Sequence, residues 1–99
     1  MEREIIRSIL LNLKFNVNSK GFDYWIQAIH LYTTFIEKIS MTEIYKQVAF
    51  ESITNERAVE RSMRTSSKTA IENIKQYFGY NGKITNKTIL NLFRKYMEE

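Results

Sequence analysis

The sequence predicts an all-α fold, a compact bundle of about five or six helices that contains a helix-turn-helix unit. Three observations predict it. The 99 residues include no Pro and only three Gly, so little interrupts helical stretches. Apolar residues recur three and four positions apart in several windows, the spacing of a helix face. Ser40 and Glu43 form an S-x-x-E capping box, and a second cap at Thr54 or Asn55 follows one short helix later.

Length and composition set the frame for these elements. A chain of 99 residues is a single domain, 1–99. Its 43% hydrophobic and 13% aromatic content excludes disorder. The absence of Cys and the single His exclude disulfides, thiol nucleophiles and the usual zinc sites. No nucleophile–base pair or phosphate-cradling Gly loop is present, so neither an enzyme nor a cofactor is expected. The opening MEREIIRSIL lacks the apolar core of a signal peptide. No apolar run approaches the roughly 20 residues that span a bilayer. A cytoplasmic, nucleoid-associated protein is therefore expected, with no membrane partner. A net charge of +4 suits an anionic partner without requiring one.

Taken in order, Ile5, Ile6, Ile9, Leu10 and Leu13 define a first helix over 2–13, with Glu2 and Glu4 complementing its dipole. Residues 14–21, KFNVNSKG, lose the period and form a loop. From Phe22 one stripe holds Phe22, Trp25, Ile26, Ile29, Tyr32 and Ile36, and a second holds Tyr24, Ala28, Leu31 and Phe35. A helix apolar on two faces is central. His30 lies among these apolar neighbours and is expected to be structural. The capping box starts the next helix near Met41, which turns Ile44, Tyr45, Val48 and Ala49 inward and ends at 50–53.

The stretch 54–74, TNERAVERSMRTSSKTAIENI, is predicted as one long helix, 55–75, with two unlike faces. Val59, Met63, Ser66, Ala70 and Ile74 share a buried side, while Arg57, Glu60, Arg61, Arg64 and Lys68 fall within an arc of about 100° opposite. Singly, such charges form a solvated face, and Glu60 with Arg64 is also an i,i+4 pair. Together they suit nucleic acid. An Arg fork matches the two acceptors of guanine and a carboxylate accepts from cytosine, which makes Glu60, Arg61 and Arg64 the candidate base readers. Arg57, Lys68 and the capping residues Thr54 and Asn55 are candidate phosphate contacts.

Gly79, Asn81 and Gly82 mark a turn, after which Thr85 or Asn86 caps a last helix bearing Ile89, Leu90, Phe93 and Tyr96. Asn81-Gly82 is also a hairpin signal. Pairing of 77–80 with 83–85 would give a small wing, although a two-stranded ribbon alone is marginal. A second set of basic residues, Lys83, Lys87, Arg94 and Lys95, follows, and Lys83 and Lys87 join the candidate phosphate contacts.

Three stretches together resemble the C-terminal DNA-binding effector domain of the stage-zero sporulation protein A family. Lys20-Gly21-Phe22-Asp23-Tyr24-Trp25-Ile26-Gln27-Ala28-Ile29 resembles its K-G-[YF]-x-Y-L-x-x-A-I. Residues 41–49 resemble [IM]-T-x-x-L-Y-x-x-[IV]-A with one residue fewer, and Val59-Glu60-Arg61 with Met63-Arg64 resembles V-E-R-x-[IM]-R. Phe78-Gly79-Tyr80, Lys83 and Thr85-Asn86 resemble F-G-Y…K-x-T-N. The resemblance implies that 41–50 supports while 55–75 enters the major groove, with Glu60, Arg61 and Arg64 on bases. The chain departs from the family pattern at Arg57-Ala58 and from Thr65 to Lys68. The family's regulators carry a phosphoacceptor receiver, absent from these 99 residues, so a stand-alone domain switched by other means is expected. Dimerisation through the last helix, with Ile89, Leu92, Phe93 and Tyr96 partly exposed, would place two copies on paired half-sites.

The leading reading is a sequence-specific double-stranded DNA-binding protein acting as a small transcriptional regulator, with RNA polymerase or another DNA-processing protein as a further partner. Two alternatives stand beside it. One is a plasmid or phage accessory factor that marks an origin of transfer or replication. The other is an antagonist that sets the same basic face against an acidic protein.

Overall fold

The computed structural model describes residues 1–35 and 37–98. It holds six α-helices, α1 (Arg3–Asn12), α2 (Lys20–Thr34), α3 (Met41–Glu51), α4 (Glu56–Ser67), α5 (Ile71–Phe78) and α6 (Asn86–Glu98), with one 3-10 turn, Lys68–Ala70, between α4 and α5. Among the described residues there is no strand, and the all-α expectation stands.

The doubly apolar helix is central. α2 packs against α1, α3, α4 and α6, and its Trp25, Ala28 and Ile29 are fully buried. It stops earlier than its apolar stripes suggest. Phe35 has extended backbone and is half exposed, and Ile36 lies outside the described residues. Thr33 and Thr34 turn their hydroxyls back onto the carbonyls of Ile29 and His30, a local bond that competes with further helix. In α1, Ile6, Ile9 and Leu10 are buried with Leu13 just beyond, whereas Ile5 faces solvent. His30 is structural, its Nδ1 bonded to the carbonyl of Met1 at 2.9 Å.

Three helices end in the same way. Lys14, Ile53 and Gly79 take left-handed backbone with φ of 68°, 53° and 65°. In each case the next amide bonds a carbonyl five residues back: Phe15 to Leu10 at 3.1 Å, Thr54 to Ala49 at 3.0 Å, and Tyr80 to Lys75 at 2.9 Å. Gly79 adopts this conformation without penalty, whereas Ile53 is β-branched and strained there.

The Gly79 stop removes the wing. Tyr77 and Phe78 form the last turn of α5, and their rings pack on α6, Phe78 against Phe93 with centroids 5.3 Å apart and Tyr77 against Tyr96 at 5.8 Å. Those contacts need a helical period, so no strand is left to pair with 83–85. Ile89 and Phe93 are fully buried in the same core. Ile89 and Phe93 are therefore not the partly exposed residues expected for a dimer surface, whereas Leu92 is half-buried and Tyr96 and Met97 are exposed on α6.

The long helix predicted over 55–75 is two helices. Ser66 supplies its carbonyl to the amide of Asn16 at 3.1 Å, although a continuous helix would direct that carbonyl to Ala70. The hydroxyls of Ser66 and Thr69 and the amide of Asn73 donate to the carbonyls of Asn16, Lys14 and Leu13. The chain end of α1 is thereby satisfied by the segment that breaks α4. Val59, Met63, Ser66, Ala70 and Ile74 are nevertheless all fully buried, as the stripe predicts.

Candidate nucleic-acid interface

α4 begins where its caps predict. Asn55 Oδ1 accepts from the amide of Ala58 at 2.9 Å, and Ser40 Oγ accepts from the amide of Glu43 at 3.1 Å to open α3. The turn between them, 52–55, holds α3 against α4, the arrangement of a support helix followed by a presented one.

Depth is fixed by backbone. At Gly21 a Cβ would overlap the carbonyl of Ser62, so only Gly lets α2 and α4 approach this closely. Three further carbonyls of α4 are held from outside the helix. Met63 accepts from Trp25 Nε1 at 2.7 Å, Ser66 from the amide of Asn16, and Glu60 from Asn86 Nδ2 at 3.3 Å. Each such bond restricts rotation of α4 about its axis, so the outward residues keep a fixed direction.

Those outward residues are the predicted ones. Arg57, Arg61, Arg64 and Lys68 are exposed and Glu60 is half-buried. Arg64 Nη1 donates to Glu60 Oε1 at 2.9 Å, with side-chain exposures of 62% and 44%. An exposed i,i+4 pair of this kind contributes only a few tenths of a kcal/mol, and it leaves the remaining guanidinium donors of Arg64 facing outward.

The basic residues divide into groups. Glu60, Arg64, Lys68, Lys83 and Lys87 line one open cleft of about 510 Å³, floored by Met41, Ile71 and Ile84. Arg57 and Arg61 lie outside that cleft, and Thr54 and Asn55 line a separate shallow depression with Ala49, Phe50 and Ile53. Arg94 leaves the basic surface altogether. Its side chain is 9% exposed, its Nη1 donates to the carbonyl of Tyr32 at 2.7 Å, and its Nε faces Glu98 at 3.4 Å. The sequence period gives the reason, because position 94 follows Leu90 and Phe93 onto the core side of α6.

Two residues of the cleft carry a role beyond capping and packing. Asn86 Nδ2 donates both to the carbonyl of Glu60 and to the hydroxyl of Tyr45 at 3.1 Å. Burial raises the pKa of the Tyr45 phenol, against the lowering effect of the Asn86 bond. The helix cap itself is Thr85, whose Oγ1 accepts from the amide of Thr88 at 3.2 Å. In the sequence Asn86 stands out only as an alternative cap and as part of the Thr85-Asn86 match to the family pattern, neither of which points to a tether between helices. Among the described residues no group of His, Cys, Asp or Glu gathers as a metal site, and no helix is long and apolar enough to cross a membrane.

The family model of the sporulation initiation factor Spo0A C terminal matches residues 6–97 of the 99. No curated protein and no solved structure matches the chain. The chain belongs to that family, the DNA-binding effector domains of sporulation regulators.

Proposed function

We propose that this member of the family is a sequence-specific double-stranded DNA-binding transcriptional regulator that inserts α4 into the major groove. The observation that carries the reading is the division of α4. Its inner carbonyls at 60, 63 and 66 are bonded by the rest of the fold, while three arginines, Arg57, Arg61 and Arg64, are exposed on its outer side and Lys68 is exposed in the 3-10 turn that follows. Arg61 and Arg64 supply forks for guanine, and Glu60 orients Arg64 or accepts from cytosine. Lys68, Lys83 and Lys87 surround the cleft beside them and hold phosphates that set register. Arg57 and the Nδ2 of Asn55, whose Oδ1 caps α4, hold phosphates at the other end of the helix, together with Thr54.

Selection of bound sequences from a random duplex pool tests this reading. A single consensus is expected, with log K falling linearly against log salt. Failure to bind any duplex at low salt, with retention of an acidic protein, would replace it by the antagonist reading.

A further inference from the structure

We infer that Asn86 is a positioning residue for DNA recognition, setting the placement of the base-reading turn of α4 relative to the lysines beside it. The inference rests on the DNA reading above and goes beyond it by naming the group that makes recognition specific without touching DNA.

Three bonds hold the carbonyls of α4, and they differ in origin. Trp25 and Asn16 belong to α2 and to the segment before it, on the core side. Asn86 is the first residue of α6 and follows directly on the segment that carries Lys83, with Lys87 next in the chain. Its bond therefore ties two walls of one cleft, Glu60 and Arg64 on one side and Lys83 and Lys87 on the other. The bonded carbonyl is that of Glu60 itself, the residue whose carboxylate holds Arg64.

The chemistry requires a primary amide here. Glu60 O can only accept, and the Tyr45 hydroxyl accepts from the same nitrogen. One NH2 group supplies two donors in one plane, as an Asn side chain does and a carboxylate cannot. Tyr45 extends the tether to α3, so a single side chain links α3, α4 and α6. Ser67, which also lines the cleft, donates its hydroxyl to the carbonyl of Arg64 at 3.1 Å, but from within α4 itself, so that bond ties α4 to no other helix.

Interface recognition depends on geometry at the scale of one hydrogen bond. A base-reading Arg must meet two acceptors while the lysines meet phosphates of the same duplex. If the tether is cut, phosphate contacts survive because they tolerate displacement, and base contacts weaken. Specificity should fall while non-specific affinity stays.

Asn86→Asp tests this with little risk to the fold. It removes both donors, keeps the shape, and puts a carboxylate in the first turn of α6, where the helix dipole favours it. Tyr45→Phe is the second variant, because it removes one partner and leaves the bond to Glu60. The ratio of affinities for the selected duplex and a scrambled duplex is measured at one salt concentration, together with the melting temperature. The long-range part of the added charge acts on both duplexes alike and cancels in the ratio, and Tyr45→Phe, which adds no charge, separates loss of the tether from a direct effect on Arg64 in the same cleft.

The ratio is expected to fall about tenfold in Asn86→Asp and about threefold in Tyr45→Phe, the scale of one hydrogen bond lost from a positioned group, with melting temperatures close to that of the unchanged chain. The double variant is expected to match Asn86→Asp, since Tyr45 acts through Asn86. An unchanged ratio in both variants overturns the inference alone, as does an equal loss on both duplexes. If the unchanged chain itself shows no preference between the duplexes, the DNA reading of α4 fails and the inference falls with it.

Discussion

α4 and α6 each carry an arginine paired with a glutamate one turn away, and the two pairs have opposite consequences. In α6 the guanidinium of Arg94 lies in the seam with α2, with Nη1 on the carbonyl of Tyr32, its carbon 5.7 Å from the centroid of the Tyr32 ring and Nε facing Glu98. In α4 the guanidinium of Arg64 leans on Glu60 at 2.9 Å but stays 62% exposed. Sequence places both residues in helices beside acidic partners. Packing alone separates an arginine that holds the bundle together from one that is available to a ligand.

The comparison is broken most directly at Arg94. Arg94→Ala is expected to lower stability by about 2 to 3 kcal/mol in denaturant unfolding, because it removes a buried charge-assisted bond and leaves the Tyr32 carbonyl without that donor. A loss below about 0.5 kcal/mol, the range of ordinary surface substitutions, would mean that Arg94 behaves like Arg64. Arg64→Ala and Arg61→Ala should show the reverse pattern. Their stability should stay within about 0.5 kcal/mol of the parent, while affinity for the selected duplex falls by about 1 to 3 kcal/mol with specificity relaxed at one base position. Uniform losses over all sequences would reject their base-reading roles.

Lys68→Ala sharpens the contrast inside the interface itself. It should weaken selected and scrambled duplexes alike and reduce the salt slope by about one. The smallest effect is expected at Glu60→Gln. Stability should change by only a few tenths of a kcal/mol, the scale of an exposed i,i+4 pair, and the measurable change should be in which base is preferred opposite Arg64.

Much of this architecture is legible from local chemistry. The caps at Ser40 and Asn55, the doubly apolar α2 and the buried stripe from Val59 to Ile74 follow from spacing and from which side chains satisfy free amides. What escapes the sequence depends on partners far along the chain. The break at Lys68–Ala70 arises because the loop after α1 engages the Ser66 carbonyl from 50 residues away. Asn81-Gly82 has the composition of a hairpin turn, but Tyr77 and Phe78 find aromatic partners on α6 and stay helical. Arg94 counts as surface charge until the period of α6 is aligned with α2. Of the interface, the charged stripe of α4 is visible in sequence, whereas its union with Lys83 and Lys87 in one cleft requires the fold.

The close approach at Gly21 has a consequence for how such a domain can diversify. Because α4 rests backbone to backbone on α2 at Ser62, its seat does not depend on the identity of any outward side chain. Residues 57, 60, 61, 64 and 68 can be exchanged one at a time without repacking the interior, so that, under the function proposed above, new target sequences are reachable by single steps. Position 21 has no such freedom: any side chain there would meet the Ser62 carbonyl and lift the whole helix from its seat at once.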